Sequence, residues 1–187
     1  AILTVISLEP GCSNADIARR TVLAPQTVSA VLDDLEAAGL LKRGAARRGG
    51  GRGQPATPIY VNPDGAYAVG AEIGWERIEV ALTDFAGRVV ERQRRSYAYP
   101  DAATVFGDLA QMVGAVTAPL SPAALRRLVG VGLATPGGLG DTSSLVAPPA
   151  GQAELWAKID IAAEAARVTG MDVQHVNDGN AACWAEF

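Results

Sequence analysis

The sequence predicts an α/β chain in two unlike parts, a winged helix-turn-helix followed by a domain on a mixed sheet. Three observations carry this: two short helix patterns around a tight turn between Ser13 and Gly39, a glycine- and arginine-rich hairpin ending near Tyr60, and a switch from helical to strand periodicity after Asn62-Pro63-Asp64-Gly65. The expected boundaries are residues 1–61 for the winged helix, 62–67 for a linker and 68–187 for the α/β domain.

Ser13 is a good N-cap, and Asp16 three residues later can reach back to its amide, so a helix is expected over Asn14–Thr21 from a capping-box start. Leu23 closes the turn. Pro25 suits the first position of the next helix, because its missing N–H would have no partner there and its φ is already helical. Ala24 is a poor cap, where Asn, Asp or Ser would add about 1 kcal/mol. Val28, Val31, Leu32 and Leu35 form an apolar stripe that leaves Gln26, Ser29, Ala30 and Asp33 on the open face. Gly39 ends the helix as a left-handed cap. Ala1–Leu8 reads as a helix already under way, with its start upstream.

In the second part, the apolar run 66–73 reads as a strand buried on both faces. Ile78, Val80 and Leu82 alternate with Glu79, Ala81 and Thr83, and 89–97 completes an antiparallel meander. Asp101 is expected to cap a helix over 102–117. A buried strand follows at 128–133, then a helix at 159–169, a short strand at 173–176 and a helix starting near Gly179. The order βββαβαβ describes a mixed sheet.

Charge separates the halves. Residues 1–67 hold seven basic and six acidic side chains, whereas 68–187 hold nine basic and fourteen acidic, for a net charge of −4 overall. Lys42, Arg43, Arg47, Arg48 and Arg52 place five cations and no carboxylate in a twelve-residue stretch rich in glycine. Such a stretch packs no core, but it can meet phosphates or enter a minor groove. A solvated charge run is the plain alternative; helix, turn, helix and wing in that order favour double-stranded DNA, touched by the amino-terminal part alone. Gln26, Thr27 and Ser29 are then expected at base edges or nearby phosphates, with Lys42, Arg43, Arg47, Arg48 and Arg52 positioning the duplex.

No apolar run approaches the roughly 20 residues that span a bilayer, so no membrane partner is expected. Cys12 and Cys183 are too few for a disulfide framework, which fits a reducing cytoplasm. His175, the one histidine, is expected packed or at a sheet edge rather than on a metal, and no cofactor or metal site is predicted.

Gly130-Val131-Gly132-Leu133-Ala134-Thr135-Pro136-Gly137, then Asn177-Asp178-Gly179-Asn180-Ala181-Ala182, after a winged helix, resembles the ROK family of sugar kinases and sugar-responsive repressors. The resemblance implies an actin-like, ribonuclease-H-like (sugar-kinase-like) subdomain that forms the first half of a ROK domain, with a sugar or sugar phosphate held at the strand ends. Pro136, Gly137, Asn177 and Asp178 are the implied effector residues, and Asp178 matches the general base of the kinases. A sugar's hydroxyls do call for an amide and a carboxylate converging from a rigid strand end. The plain alternative is that Asn177 and Asp178 cap the following helix.

The kinases carry Asp-x-Gly-Gly-Thr between the first two strands, where this chain has Glu72-Ile73-Gly74-Trp75-Glu76. Trp75 would fill the phosphate's space and Glu76 would repel it; as ordinary hairpin residues they would bind no ATP either. After Gly137 relatives carry an Asn-Leu-x-Gly-Trp-like stretch, here Ala147-Pro148-Pro149-Ala150-Gly151, with Trp156 as its remnant. The expectation is therefore a non-enzymatic, sequence-specific transcriptional regulator of ROK type, a repressor acting as a homodimer on operator DNA. The alternatives are an ATP-dependent sugar kinase with a DNA-binding module, or a DNA-binding regulator with a vestigial effector domain.

Overall fold

The computed structural model describes residues 1–45, 57–141 and 146–185. Two compact units emerge, Ala1–Ala66 with Asp84–Arg88, and Tyr67–Thr83 with Val89–Phe187.

The first unit holds α1 (Ile2–Leu8), α2 (Asn14–Thr21), α3 (Pro25–Ala37) and an antiparallel pair, β1 (Leu41–Arg43) and β2 (Ile59–Val61). The local chemistry of α2 is the expected one: the Ser13 amide donates to Asp16 Oδ2 (3.0 Å) while Ser13 Oγ accepts from the Asp16 amide (3.3 Å). Those hydrogen bonds satisfy amides that a helix start otherwise leaves unpaired. Ala24 caps α3 without any side-chain hydrogen bond, and Pro25 opens it. Gly39 (φ 75°) closes it, letting the Leu40 amide return to the Leu35 carbonyl at 2.9 Å. Ile6, Ile17, Val28, Leu32, Leu41 and Ile59 meet in the core. A 3₁₀ turn, Pro63–Gly65, follows, pinned by Asn62, whose Nδ2 donates to the Gly39 carbonyl at 2.6 Å.

The second unit is a five-stranded sheet. Its strands are β3 (Tyr67–Ile73), β4 (Arg77–Asp84), β5 (Val89–Ser96), β6 (Leu128–Thr135) and β7 (Val173–Asn177), in the order β5-β4-β3-β6-β7. β5 runs antiparallel to β4, while β6 runs parallel to both β3 and β7. The helices are α4 (Val105–Thr117), α5 (Pro122–Leu125), α6 (Gln152–Trp156), α7 (Ile161–Thr169) and α8 (Asp178–Ala185).

Several expectations need correction. β3 and β6 are buried on one face only. Val69, Ala71 and Ile73 of β3 and Val131 and Leu133 of β6 enter the core with Leu109, Val113 and Ala165, side chains of α4 and α7. Gly70 and Gly132, paired with each other, lie on the other, open face. An unbroken apolar run matches a two-faced strand only if something covers both faces, and here the run is completed by Gly and Ala. The helix expected from 102 starts at Val105, because the Asp101 carboxylate caps a preceding turn through the Ala103 amide (2.8 Å). The one expected from 159 starts at Ile161, with Asp160 as its cap. Trp156 is a core residue, 4% exposed, with Nε1 donating to the Pro100 carbonyl at 3.0 Å.

Candidate nucleic-acid interface and effector site

Gln26 and Thr27 stand exposed on the first turn of α3, and Ser29 is half-buried on the same helix. Ser29 is not free, since its Oγ accepts a 2.6 Å hydrogen bond from Asn14 Nδ2 on α2. That bond leaves the Ser29 proton to donate outward. Lys42 and Arg43 are exposed on β1, beside the helix. Arg43 is engaged: its Nε meets Glu36 Oε2 at 2.6 Å and an Nη meets Asp33 Oδ1 at 2.7 Å, both from α3. The hydrogen bond to Glu36 chiefly holds the guanidinium charged more firmly still. Arg43 therefore braces the wing strand against the helix and reaches a phosphate only in competition with two carboxylates. Lys42 forms a loose exposed pair with Asp64 at 3.6 Å, the kind of contact that adds little stability. Arg47, Arg48 and Arg52 lie outside the described residues. Asn14 and the Arg43 clamp were missed by sequence reasoning; the only trace was the i, i+3 spacing of Asp33 and Glu36 before an arginine.

At the carboxyl ends of β6 and β7 the expected effector residues fall into two cavities. Pro136, Gly137 and Asn177 line one of about 260 Å³ with Thr135, His175 and Ile161. Asp178 lines another, of about 450 Å³, with Glu72, Ala134 and Ala181. The register explains the split. Thr135 pairs with Asn177 and Leu133 with His175, so Asn177 and His175 share one face of β7, whereas Asp178 is the first residue of α8. At the start of α8 the two side chains meet on one donor, the Gly179 amide, which lies 3.0 Å from Asn177 Oδ1 and 2.7 Å from Asp178 Oδ1. Asn177 Oδ1 accepts from the Gly179 amide (3.0 Å) and the Asn180 amide (3.4 Å), so its oxygen caps α8 while Nδ2 remains.

The turn from β3 to β4 is tied down by protein groups. Arg77 donates to Glu72 Oε2 at 3.3 Å, and Tyr97 Oη lies 2.8 Å from the Gly74 carbonyl and 2.7 Å from that of Arg77, one proton shared between two acceptors. Trp75 packs on the core with its ring 6.1 Å from that of Tyr99, and Glu76 is exposed. Among the described residues no three His, Cys, Asp or Glu side chains are grouped to hold a metal ion, and no helix is long and apolar enough to cross a membrane.

Fold and site together define a class, a winged helix joined to an actin-like, sugar-kinase-like domain. Residues 68–187 match the model described as the ROK family, and residues 1–53 that of the MarR family. The chain belongs to the ROK family, with a MarR-like winged helix at its amino end. Among solved structures it is similar to a ROK family transcriptional regulator described as a homologue of the E. coli MLC protein, with TM-score 0.63 and 19% identity. That alignment covers 99% of this chain and 46% of the regulator, so this chain spans less than half of its length, and at such identity the likeness is one of fold. A ROK family glucokinase from Streptomyces griseus, solved with glucose and AMPPNP, aligns at TM-score 0.49 and 21% identity, covering 65% of this chain and 36% of that one. An inorganic polyphosphate/ATP-glucomannokinase from Arthrobacter sp. strain KM aligns at TM-score 0.49 and 28% identity, covering 65% and 47%. Comparison with curated proteins gives no match.

Proposed function

We propose that this chain acts as a sequence-specific, DNA-binding transcriptional regulator of ROK type, a cytoplasmic repressor in which residues 1–61 grip operator DNA, 62–67 link, and 68–187 sense a sugar or sugar phosphate. The observation that carries the reading is the exposed polar start of α3, with Gln26, Thr27 and the Asn14-held Ser29, next to a wing strand bearing Lys42 and Arg43. A helix of that kind presents its amino-terminal residues to base edges while a cationic wing meets the backbone. Paired half-sites require two copies related by a twofold axis, hence a homodimer. An effector weakens DNA binding only by favouring an arrangement with the wrong half-site spacing.

Phosphoryl transfer is disfavoured on the chemistry of the cleft. Where the kinases place Gly and Thr beside the phosphates, this chain has Trp75 and Glu76, a bulky ring and an exposed carboxylate in place of bare amides and a hydroxyl. The deciding experiment pairs operator selection from a random duplex library with a coupled assay of hexose and ATP. An enriched operator, lost or altered by Gln26→Ala, with no ATP turnover, supports the regulator; turnover without enrichment supports the kinase. True base contacts at Gln26 or Ser29 are each worth about 1–3 kcal/mol of discrimination.

A further inference from the structure

We propose that Asn14 is a specificity-determining positioning residue of the DNA-reading surface: its amide fixes the Ser29 hydroxyl as a hydrogen-bond donor, so that α3 selects, at one operator position, a base edge presenting an acceptor. This rests on the reading that α3 meets base edges, and it names a residue outside that helix which decides what one of its side chains reads.

A hydroxyl carries one proton and two lone pairs, so what it recognises depends on where that proton points. Three helical threonines of this chain spend theirs on their own helix. Thr21 donates to the Ile17 carbonyl at 2.7 Å, Thr117 to that of Val113 at 2.8 Å and Thr169 to that of Ala165 at 2.8 Å, each four residues back. Ser29 makes no such bond among the described residues. Its Oγ instead accepts, at 2.6 Å, from Nδ2 of Asn14, the first residue of α2. A hydroxyl held as an acceptor on one side keeps its proton for a partner on the other.

Asn14 is poorly suited to packing alone. Its Oδ1 is buried and meets no hydrogen-bond donor. A buried acceptor left unpaired costs stability that an apolar side chain in the same place would not. What the amide gives in return is the bond to Ser29, which crosses from α2 to α3.

The surroundings leave the proton available. Ser29 lies three residues after the exposed Gln26, on the same side of α3, and Ala30 beside it is exposed and carries only a methyl group. Asp33, four residues on and so a neighbour on the helix surface, would compete for the proton, but Arg43 holds its Oδ1 at 2.7 Å. In the major groove guanine presents N7 and O6 as acceptors, adenine N7 and thymine O4, whereas cytosine offers its N4 donor. A Ser29 held as a donor therefore discriminates against cytosine.

Two substitutions change that polarity in different ways. In Asn14→Asp a carboxylate can only accept, so the Ser29 proton turns inward and its lone pairs face the groove, where they suit cytosine. Asn14→Leu, apolar and of similar size, releases the hydroxyl to bond back to the Pro25 carbonyl as the threonines do.

The test selects operators from a random duplex library with the full chain and with Ser29→Ala, Asn14→Asp and Asn14→Leu, and records each protein's melting temperature. Ser29→Ala identifies the position that Ser29 reads, as the one where preference collapses. Expected there is a wild-type preference against cytosine of about fivefold, the size of one net hydrogen bond. Asn14→Leu loses it while melting at or above the wild-type temperature, and Asn14→Asp turns it towards cytosine. In a Ser29→Ala background neither Asn14 change moves base preference further. A Ser29-dependent preference that survives both Asn14 changes overturns the proposal. So does a loss spread equally over all sequences with a lowered melting temperature, which would make Asn14 a brace between α2 and α3. A Ser29→Ala profile identical to wild type also overturns it, and leaves the regulator reading to Gln26 and Thr27. No enriched sequence with the wild-type chain brings down both this proposal and the DNA-binding reading.

Discussion

Val22 is the one non-glycine residue at positive φ among the described residues, at 56°, and it is 90% exposed. A β-branched side chain in the left-handed region is strained, and with so little of it buried nothing in packing offsets the cost. Val22→Asn, which tolerates that region, is therefore expected to raise stability by about 1 kcal/mol in urea unfolding; a loss would mean that the exposed methyls contribute more than the backbone strain. Asp16 makes the opposite case. Hydrogen bonds from the Ser13 hydroxyl and amide hold its carboxyl below the ordinary aspartate value of 3.8. A depressed native value means that the stabilisation is present above 3.8 and lost as pH falls through the native pKa. Asp16→Ala is expected to lower stability by about 0.5–1 kcal/mol at neutral pH, with the deficit closing in acid. Unfolding curves at pH 7 and below pH 3 check it, and a deficit that persisted in acid would assign the effect to helix propensity.

At the level of elements, the parts legible in the sequence were those whose causes are local. The bounds of α2 follow from Ser13 and Asp16, and the placement of α3 from Pro25 and Gly39, because each relies on hydrogen bonds within a few residues. Which face of β3 or β6 is buried depends instead on what packs against it, and Val-Gly-Ala runs carry no record of that. A similar limit hides the irregularity in β6. Tyr67 pairs with Leu128 and Val69 with Val131, so β6 carries one residue more than β3 across that step. Gly130, at φ 143°, takes up the excess, and a Cβ there would stand 2.7 Å from the Asp172 carbonyl. This is the signature of a bulge, built on a residue without a side chain. Gly130→Ala should cost about 1–3 kcal/mol and loosen β7, and with it the site. Denaturant titration together with hydrogen exchange at Val173–Asn177 measures both effects; wild-type protection of β7 would show that the bulge does not hold the two strands together.

On the scale of the whole chain, the proposed DNA binding raises the question of which cations would meet a duplex when the protein carries a net charge of −4. Two arginine-rich stretches compete. On the edge strand β5, Arg92 pairs with Glu79 and Arg95 with Asp108, so two of its three closely spaced arginines are already neutralised within the domain. Those charges also blunt an exposed strand edge, a sufficient reason for their presence. The wing carries no acidic residue of its own between Lys42 and Gly53. Arg43 is spoken for by Asp33 and Glu36, which leaves Arg47, Arg48 and Arg52 as the cations with most to gain from phosphate. Each phosphate contact adds roughly 0.9 to the slope of log affinity against log salt on duplex DNA. Replacing those three with alanine is accordingly expected to flatten the slope by about 2 to 3 and to weaken binding to every sequence alike. Arg94→Ala, on β5, should leave the slope unchanged. Fluorescence anisotropy on one duplex at several salt concentrations separates the two stretches: a slope that follows Arg94 and ignores the wing would move the DNA-binding surface to the sheet edge and remove the amino-terminal unit from that role.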